Sequence, residues 1–368
     1  MRAVVGLAGG LLVVVMLAEF FVSFLLPRRV KRDPRGARRI VRYGWQGWRA
    51  IARPMPPATA DTWLGFYGPF GLIWLLALWT LGLVVGFAAL QWATGSQLSL
   101  GHPASFGDDL FFSAGGFLSA GSKLAPEGAG SEALFLLEAA SGFAVLFIAI
   151  GYLPALFQAF SRREVAISQL DPRAGSPPTA GALLEHAGER GGWESLDAYL
   201  GEWEEWSAEL METHLSYPFL AYYRSQHLNQ NWLASLTTIL DASAFTIAAV
   251  PAGTPPEAAE VTFATGRHAL ADLAYMFGAK PVEPDPPRLS DETFAELWRR
   301  AGASGLELGD RDAARDRLNE LRHAYEPYAV ALARWLELRL PDWLPSPEAE
   351  ANWRRSAWHR RGGTRALP

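Results

Sequence analysis

Cysteine is absent from the 368 residues, which excludes disulfides, thiolate zinc sites, iron–sulfur clusters and thiol redox switches. Charge is absent locally: residues 62–107, a 46-residue interval, contain no Asp, Glu, Lys or Arg. So long and apolar a stretch is unsuited to a core element of a soluble domain, whereas about 20 helical residues cross the roughly 30 Å hydrocarbon layer of a bilayer. Period-2 alternation, a G-x-G-x-x-G after a strand and closely spaced histidine pairs are missing as well. Without them a sheet, a Rossmann-type regulator, a metal centre and a Ser/His/Asp or Cys/His catalytic set are not expected. The chain is therefore read as a non-enzyme without a cofactor or metal.

Charge is also distributed unevenly along the chain. Residues 1–160 carry 12 basic and 8 acidic side chains, and residues 161–368 carry 21 basic and 30 acidic ones. A weakly basic, apolar half precedes an acidic, water-soluble one. The predicted fold is an all-α membrane protein: three transmembrane helices and one re-entrant pore helix, followed by a helical cytoplasmic domain.

Residues 4–26 form the first predicted span, within a first segment of residues 1–26. A signal peptide is the rival reading, but the run is long, lacks a small-x-small cleavage site and has most of its basic residues behind it. Glu19 lies near the end of this run, where a carboxylate reaches the headgroups; an intramembrane role is the alternative. Residues 27–63 make a juxtamembrane segment with ten basic residues between Arg28 and Arg53 against the single acid Asp33. The positive-inside rule puts this loop in the cytoplasm and the N-terminus outside. With Tyr43, Trp45 and Trp48 among the arginines, the segment is predicted to lie on the anionic inner leaflet rather than to bind nucleic acid.

Residues 64–160 form the predicted pore domain. Its spans are residues 64–92, anchored by Trp63 and Trp92, and residues 133–160, which end at Ser161-Arg162-Arg163 and again place basic residues inside. Between them, residues 108–118 (DDLFFSAGGFL) are too short to cross a bilayer and too apolar for a free loop, which predicts a re-entrant helix. Asp108 and Asp109 suit its N-terminus, where they would offset unpaired amides; Phe112 and Ser113 belong to its body. The pore loop spans residues 108–124. Gly142 and Gly151 are candidate gate hinges and Pro154 removes a backbone donor near the inner end; the alternative is that these glycines permit close helix approach.

The stretches PRRV, FYGP, SFGDDLFFS and GYLPALFQAFSRRE, with SPPTAGALL and HLSYPFLAYYRSQHLNQNWLASL further on, resemble the prokaryotic two-helix, pore-loop potassium channel-like family. The likeness covers residues 1–250. It implies an ion channel, four copies around one pore and a permeant ion such as potassium. In that family a Thr-x-Gly-x-Gly-Asp filter follows the pore helix. The matching positions here are Ser119, Ala120, Gly121, Ser122, Lys123 and Leu124, of which Gly121 alone is retained. A cation about 10 Å from one lysine ammonium meets about 1.7 kcal/mol of repulsion at an effective dielectric near 20, and four lysines sum to roughly 7 kcal/mol. Three readings follow: a cation pore with lysines turned outward, an anion-permeable pore set by Lys123, and a non-conducting sensor or scaffold that keeps the channel architecture.

A linker (residues 161–182), Pro/Gly-rich over residues 171–182, leads to a helical cytoplasmic domain (residues 183–345), with helices predicted at residues 193–214, 228–250, 256–277, 290–303 and 309–338. Residues 228–250 match a span in length, but Asn229, Asn231 and Asp241 argue for a buried bundle helix. The acidic helix at 193–214 is read as a solvated face, with divalent-cation binding or docking on the basic segment as the alternatives. His214, Tyr222, Tyr223, Arg224, His227 and Asn231 are a candidate regulatory pocket; a satisfied polar core or subunit contact is the other reading. Residues 346–368 are a basic tail. The expected location is the inner (plasma) membrane, multi-pass, with the C-terminal domain in the cytoplasm, and the expected partners are anionic lipids, the permeant ion and three further copies in a homotetramer.

Overall fold

A computed structural model describes residues 1–25, 36–96, 98, 104–120, 124–227, 229–253 and 256–347. The described residues form helices without a strand, and the chain divides into two compact units, Met1–Gln158 and Ala159–Pro368. Several helices are long and apolar enough to cross a membrane, which makes this an all-helical, membrane-associated protein.

In the first unit α1 (Arg2–Phe24) packs on α4 (Tyr67–Ala93) along a seam of small residues. A Cβ added at Gly9 would lie 2.8 Å from the Gly86 carbonyl oxygen and 2.8 Å from the Ala89 Cβ, and one at Gly82 would lie 2.7 Å from the Met16 sulfur. Gly82-x-x-x-Gly86 thus places both glycines on one face, and the two backbones approach as apolar helices do when packing, not water exclusion, drives association. Phe20 and Phe24 then close on Trp79 at 5.5 and 5.4 Å between ring centroids.

Glu19 has a partner that the sequence does not announce. Its carboxylate accepts the backbone N–H groups of Gly36 (2.9 Å) and Ala37 (3.1 Å), and so satisfies two of the unpaired amides that open α2 (Gly36–Ala52). The predicted second span is preceded by a separate helix, α3 (Pro57–Gly65). The break before α4 has a local cause, because Pro69 has no N–H with which to bond the Gly65 carbonyl. Trp48 of α2 and Trp63 of α3 stack at 4.3 Å, and each indole N–H donates to the other residue's carbonyl, at 2.9 and 3.3 Å.

The short helix α5 (Phe106–Phe117) sits between α4 and α6 (Ala129–Ala174) in the chain. Ser105 and Asp108 form a reciprocal capping box at its start. Asp108 therefore acts as the sequence predicts. Asp109 does not: it is fully buried and accepts the Ser96 hydroxyl at 2.6 Å. α6 runs without a break through Gly142, Gly151 and Pro154 to Ala174.

The second unit holds α7 (Ala180–Arg190), α8 (Gly192–Ser216), a 3-10 turn (Pro218–Tyr222), α9 (Trp232–Ala249), α10 (Glu257–Phe277), α11 (Asp291–Ala303) and α12 (Arg311–Leu336). Short polar caps start four of them: Thr179, Asn231, Ser290 and Asp310 each accept a backbone N–H three residues on. α9 lies among α7, α8, α10 and α12, and 89% of its apolar window is buried by them. Segment 175–179 is built into this unit and is no loose spacer. Ser176 and Thr179 are buried, Thr238 donates to the Pro178 carbonyl at 3.1 Å, and Gly181 N–H donates to Trp343 O at 2.8 Å.

Asp241 of α9, fully buried, is met by Arg288 from the proline-rich connection before α11. The guanidinium binds both carboxylate oxygens (3.1 and 2.7 Å), Glu326 (2.9 Å) and the Pro341 carbonyl (2.9 Å), and Tyr325 also donates to Asp241. Burial by itself would lower the Arg288 pKa; Asp241, Tyr325 and Glu326 more than offset it, and the net shift is upward.

Candidate functional site

The candidate pore residues divide into two sets. Gly121, Ser122 and Lys123 lie outside the described residues. Ser119 and Ala120 are described: Ser119 takes a left-handed conformation (φ 51°), its N–H donates to Gly116 O at 3.2 Å, and the Ala120 N–H donates to Gly115 O at 3.0 Å. These two bonds close α5 with a Schellman turn in which serine holds the position glycine usually takes. Leu124 follows at the far side, next to the bridge between Leu98 and Pro126.

Asp109, Phe112, Ser113 and Gly116 recur at three- and four-residue spacing, so one face of α5 is buried against α4 and α6. Phe112 meets Phe135 at 5.2 Å between centroids. A Cβ at Gly116 would lie 2.9 Å from the Phe135 ring, and one at Gly142 would overlap the Phe117 carbonyl. Gly142 thus serves close approach between α6 and the end of α5, whereas Gly151 faces open space.

Ser113 donates its hydroxyl to the Val84 carbonyl at 2.8 Å and is also in hydrogen-bond contact with the fully buried Glu138 of α6. Nearer the start of α6, the Gln91 side chain donates to the Ser131 carbonyl (3.2 Å) and accepts its hydroxyl (2.8 Å). Hydroxyls and an amide therefore join α4, α5 and α6 around a short helix, and no cation is a partner in these bonds. Glu138 was visible in the sequence only as the sole charge of an apolar run; its partner 25 residues away has no local signature.

The six candidate pocket residues are not brought to one surface. His214 is fully buried, Tyr222 is buried with its ring 5.6 Å from Phe277, and Tyr223 is buried against Phe160. Arg224 donates to the Leu336 carbonyl at 3.0 Å, His227 is exposed, and Asn231 caps α9 while donating to Arg339 O at 3.1 Å.

What the stretch does contain is the receptor for Arg163. This arginine, 3% exposed, donates to the carbonyls of Leu220 (2.8 Å) and Tyr223 (3.0 Å) and, through Nε and Nη2, to Glu164 (3.0 and 2.9 Å). Its Nη1 lies 3.3 Å from His214 Nε2. Since His214 Nδ1 lies 2.8 Å from the Leu210 carbonyl, Nδ1 carries the hydrogen and Nε2 accepts. Burial, and then the neighbouring Arg163, hold the His214 pKa well below the ordinary imidazole value. In the sequence, Arg162 and Arg163 serve as a topology signal; the signal of a buried role was the polar-aromatic density of the segment that receives the guanidinium.

Among the described residues no group of three or more His, Asp or Glu side chains is placed to hold a metal ion. No protein family, no curated protein and no solved structure matches this chain.

Proposed function

We propose that the protein is an ion channel of the pore-loop type: α1, α4 and α6 span the membrane, α5 is a re-entrant pore helix, and the second unit is a cytoplasmic domain. The observation that carries this reading is a twelve-residue capped helix between two long apolar helices, buried on one face by both and closed by a tight turn. Such a helix is too short to cross a bilayer and too buried to be a surface loop. One chain supplies one such segment, so a closed pore needs several copies, and four is the arrangement that the resemblance implies. The location proposed is a plasma membrane with the basic segment inside. The exposed Leu81, Leu136, Phe147 and Ile150 suit a lipid or intersubunit surface.

Arg163 gives this reading a gating route, because the segment 214–225 grips the helix that would line the pore. The alternative of a non-conducting sensor is favoured by Lys123, which stands where the filter pattern has its second glycine. Reconstitution in liposomes with asymmetric KCl separates the two. A reversal potential near the potassium or the chloride value identifies the permeant ion, and a shift in Lys123→Gly or Lys123→Glu makes Lys123 the selector. Silence in wild type with current in Lys123→Gly supports the sensor.

A further inference from the structure

The helix α2 presents three faces. Ala37, Trp45 and Ala52 are buried, and they point into the first unit together with the half-buried Val41 and Trp48. Arg39, Arg42, Arg49 and, just beyond the helix, Arg53 fall on one arc, at intervals of three, seven and four residues, and Arg39, Arg42 and Arg53 are exposed. Ile40 and Ile51, 37% and 52% exposed, lie with Gly47 on the opposite side, where a Cβ at Gly47 would meet nothing.

The helix is also fixed in place. Glu19 caps its N-terminus, the Trp48–Trp63 stack joins it to α3, and Tyr67 of α4 donates to the Val41 carbonyl. The cap is informative about depth. Glu19 lies five residues before the end of α1, one of the helices apolar enough to cross a membrane. The N-terminus of α2 is thus held at the level of the last turns of α1, where hydrocarbon gives way to headgroups.

From this geometry we infer that α2 is a rigid interfacial platform whose arginine arc binds the phosphodiester headgroups of anionic phospholipids, with Ile40 and Ile51 seated among the acyl chains. Charge complementarity selects the occupant. A guanidinium arc above an apolar face fits a leaflet of anionic lipid, whereas a soluble phosphate would leave the isoleucines in water. The inference is independent of whether the protein conducts ions.

The test uses the full chain purified in micelles containing equal amounts of phosphatidylglycerol and phosphatidylcholine, with the lipids retained per chain counted by native mass spectrometry. Each arginine near an anionic surface contributes roughly fivefold. Wild type should retain phosphatidylglycerol preferentially, the Arg39→Gln/Arg42→Gln/Arg49→Gln variant should lose at least about tenfold of that preference, and the matching triple Lys variant should keep most of it. The Lys variant controls for folding. Equal retention of the two lipids by wild type, or an unchanged preference in the triple Gln variant, overturns the inference.

Discussion

The helices α6 and α9 both pass as membrane spans on length and composition, yet they end up in opposite surroundings. Only 17% of the apolar window of α6 is covered by the protein itself, against 89% for α9. Polar side chains explain the difference. α9 carries Thr237, Thr238, Asp241 and Thr246, which bond backbone carbonyls or Arg288, while α6 leaves Leu136, Leu137, Phe147 and Ile150 exposed. The two units also treat buried carboxylates differently. Asp109 and Glu138 in the first unit are met by serine hydroxyls, and Asp241 in the second by a guanidinium. Apolar length shows that a helix must be hidden from water; the partners of its polar groups show whether lipid or protein hides it.

The sharpest way to break this comparison is to remove the cation of the second unit. Arg288→Ala leaves Asp241 buried and uncompensated, and should cost the second unit about 3–5 kcal/mol, with Arg288→Lys retaining part of it. Thermal unfolding followed by near-UV circular dichroism measures the loss. In the first unit the corresponding weak point is steric. Gly86→Leu drives a side chain into Val13 and the Gly9 carbonyl and should destabilise the α1–α4 pair by about 1–3 kcal/mol, seen as a lower denaturation midpoint in detergent.

Two smaller effects sharpen the contrast. His214 is held neutral by burial, so the unfolded chain binds a proton that the folded one refuses. Its contribution is present above the ordinary imidazole pKa of about 6.5 and is lost as pH falls from there toward the lowered folded value. The melting temperature of the second unit should therefore fall below about pH 6.5, and less steeply in His214→Gln. Glu138→Gln is expected to change stability least, within about 1 kcal/mol, because the amide keeps the shape and can donate to Ser113. A large loss there would show that the first unit, like the second, depends on a charged carboxylate.

Much of this architecture was legible in the sequence because its causes are local. Ser290 with Asp291 and Glu292 marks the start of α11, the charge gap at residues 62–107 marks α4, and Asp108 caps α5 as its position suggests. The break between α3 and α4 has a local cause in Pro69 as well, but the unbroken hydropathy run conceals it. α7 was hidden by the proline- and glycine-rich segment before it, despite Thr179 in the capping position. The remaining roles depend on distant partners. Glu19 caps a helix 17 residues on, Asp109 turns inward to Ser96, and Arg163 reaches carbonyls 57 and 60 residues away. No periodicity or spacing rule encodes such pairings.

The proposed function requires that α5 enter and leave the membrane on one side, with the second unit on the other. A chain without cysteine permits a direct test by single replacements at exposed positions, Gly107→Cys and Glu127→Cys flanking the pore segment and Glu204→Cys in the second unit. With a membrane-impermeant maleimide on intact cells, the account predicts that Gly107→Cys and Glu127→Cys label from outside, and that Glu204→Cys labels only after permeabilisation. Labelling of Gly107→Cys and Glu127→Cys from opposite sides would show that the segment crosses the bilayer, and labelling of all three from outside would place the second unit beside the pore loop; either result contradicts the account.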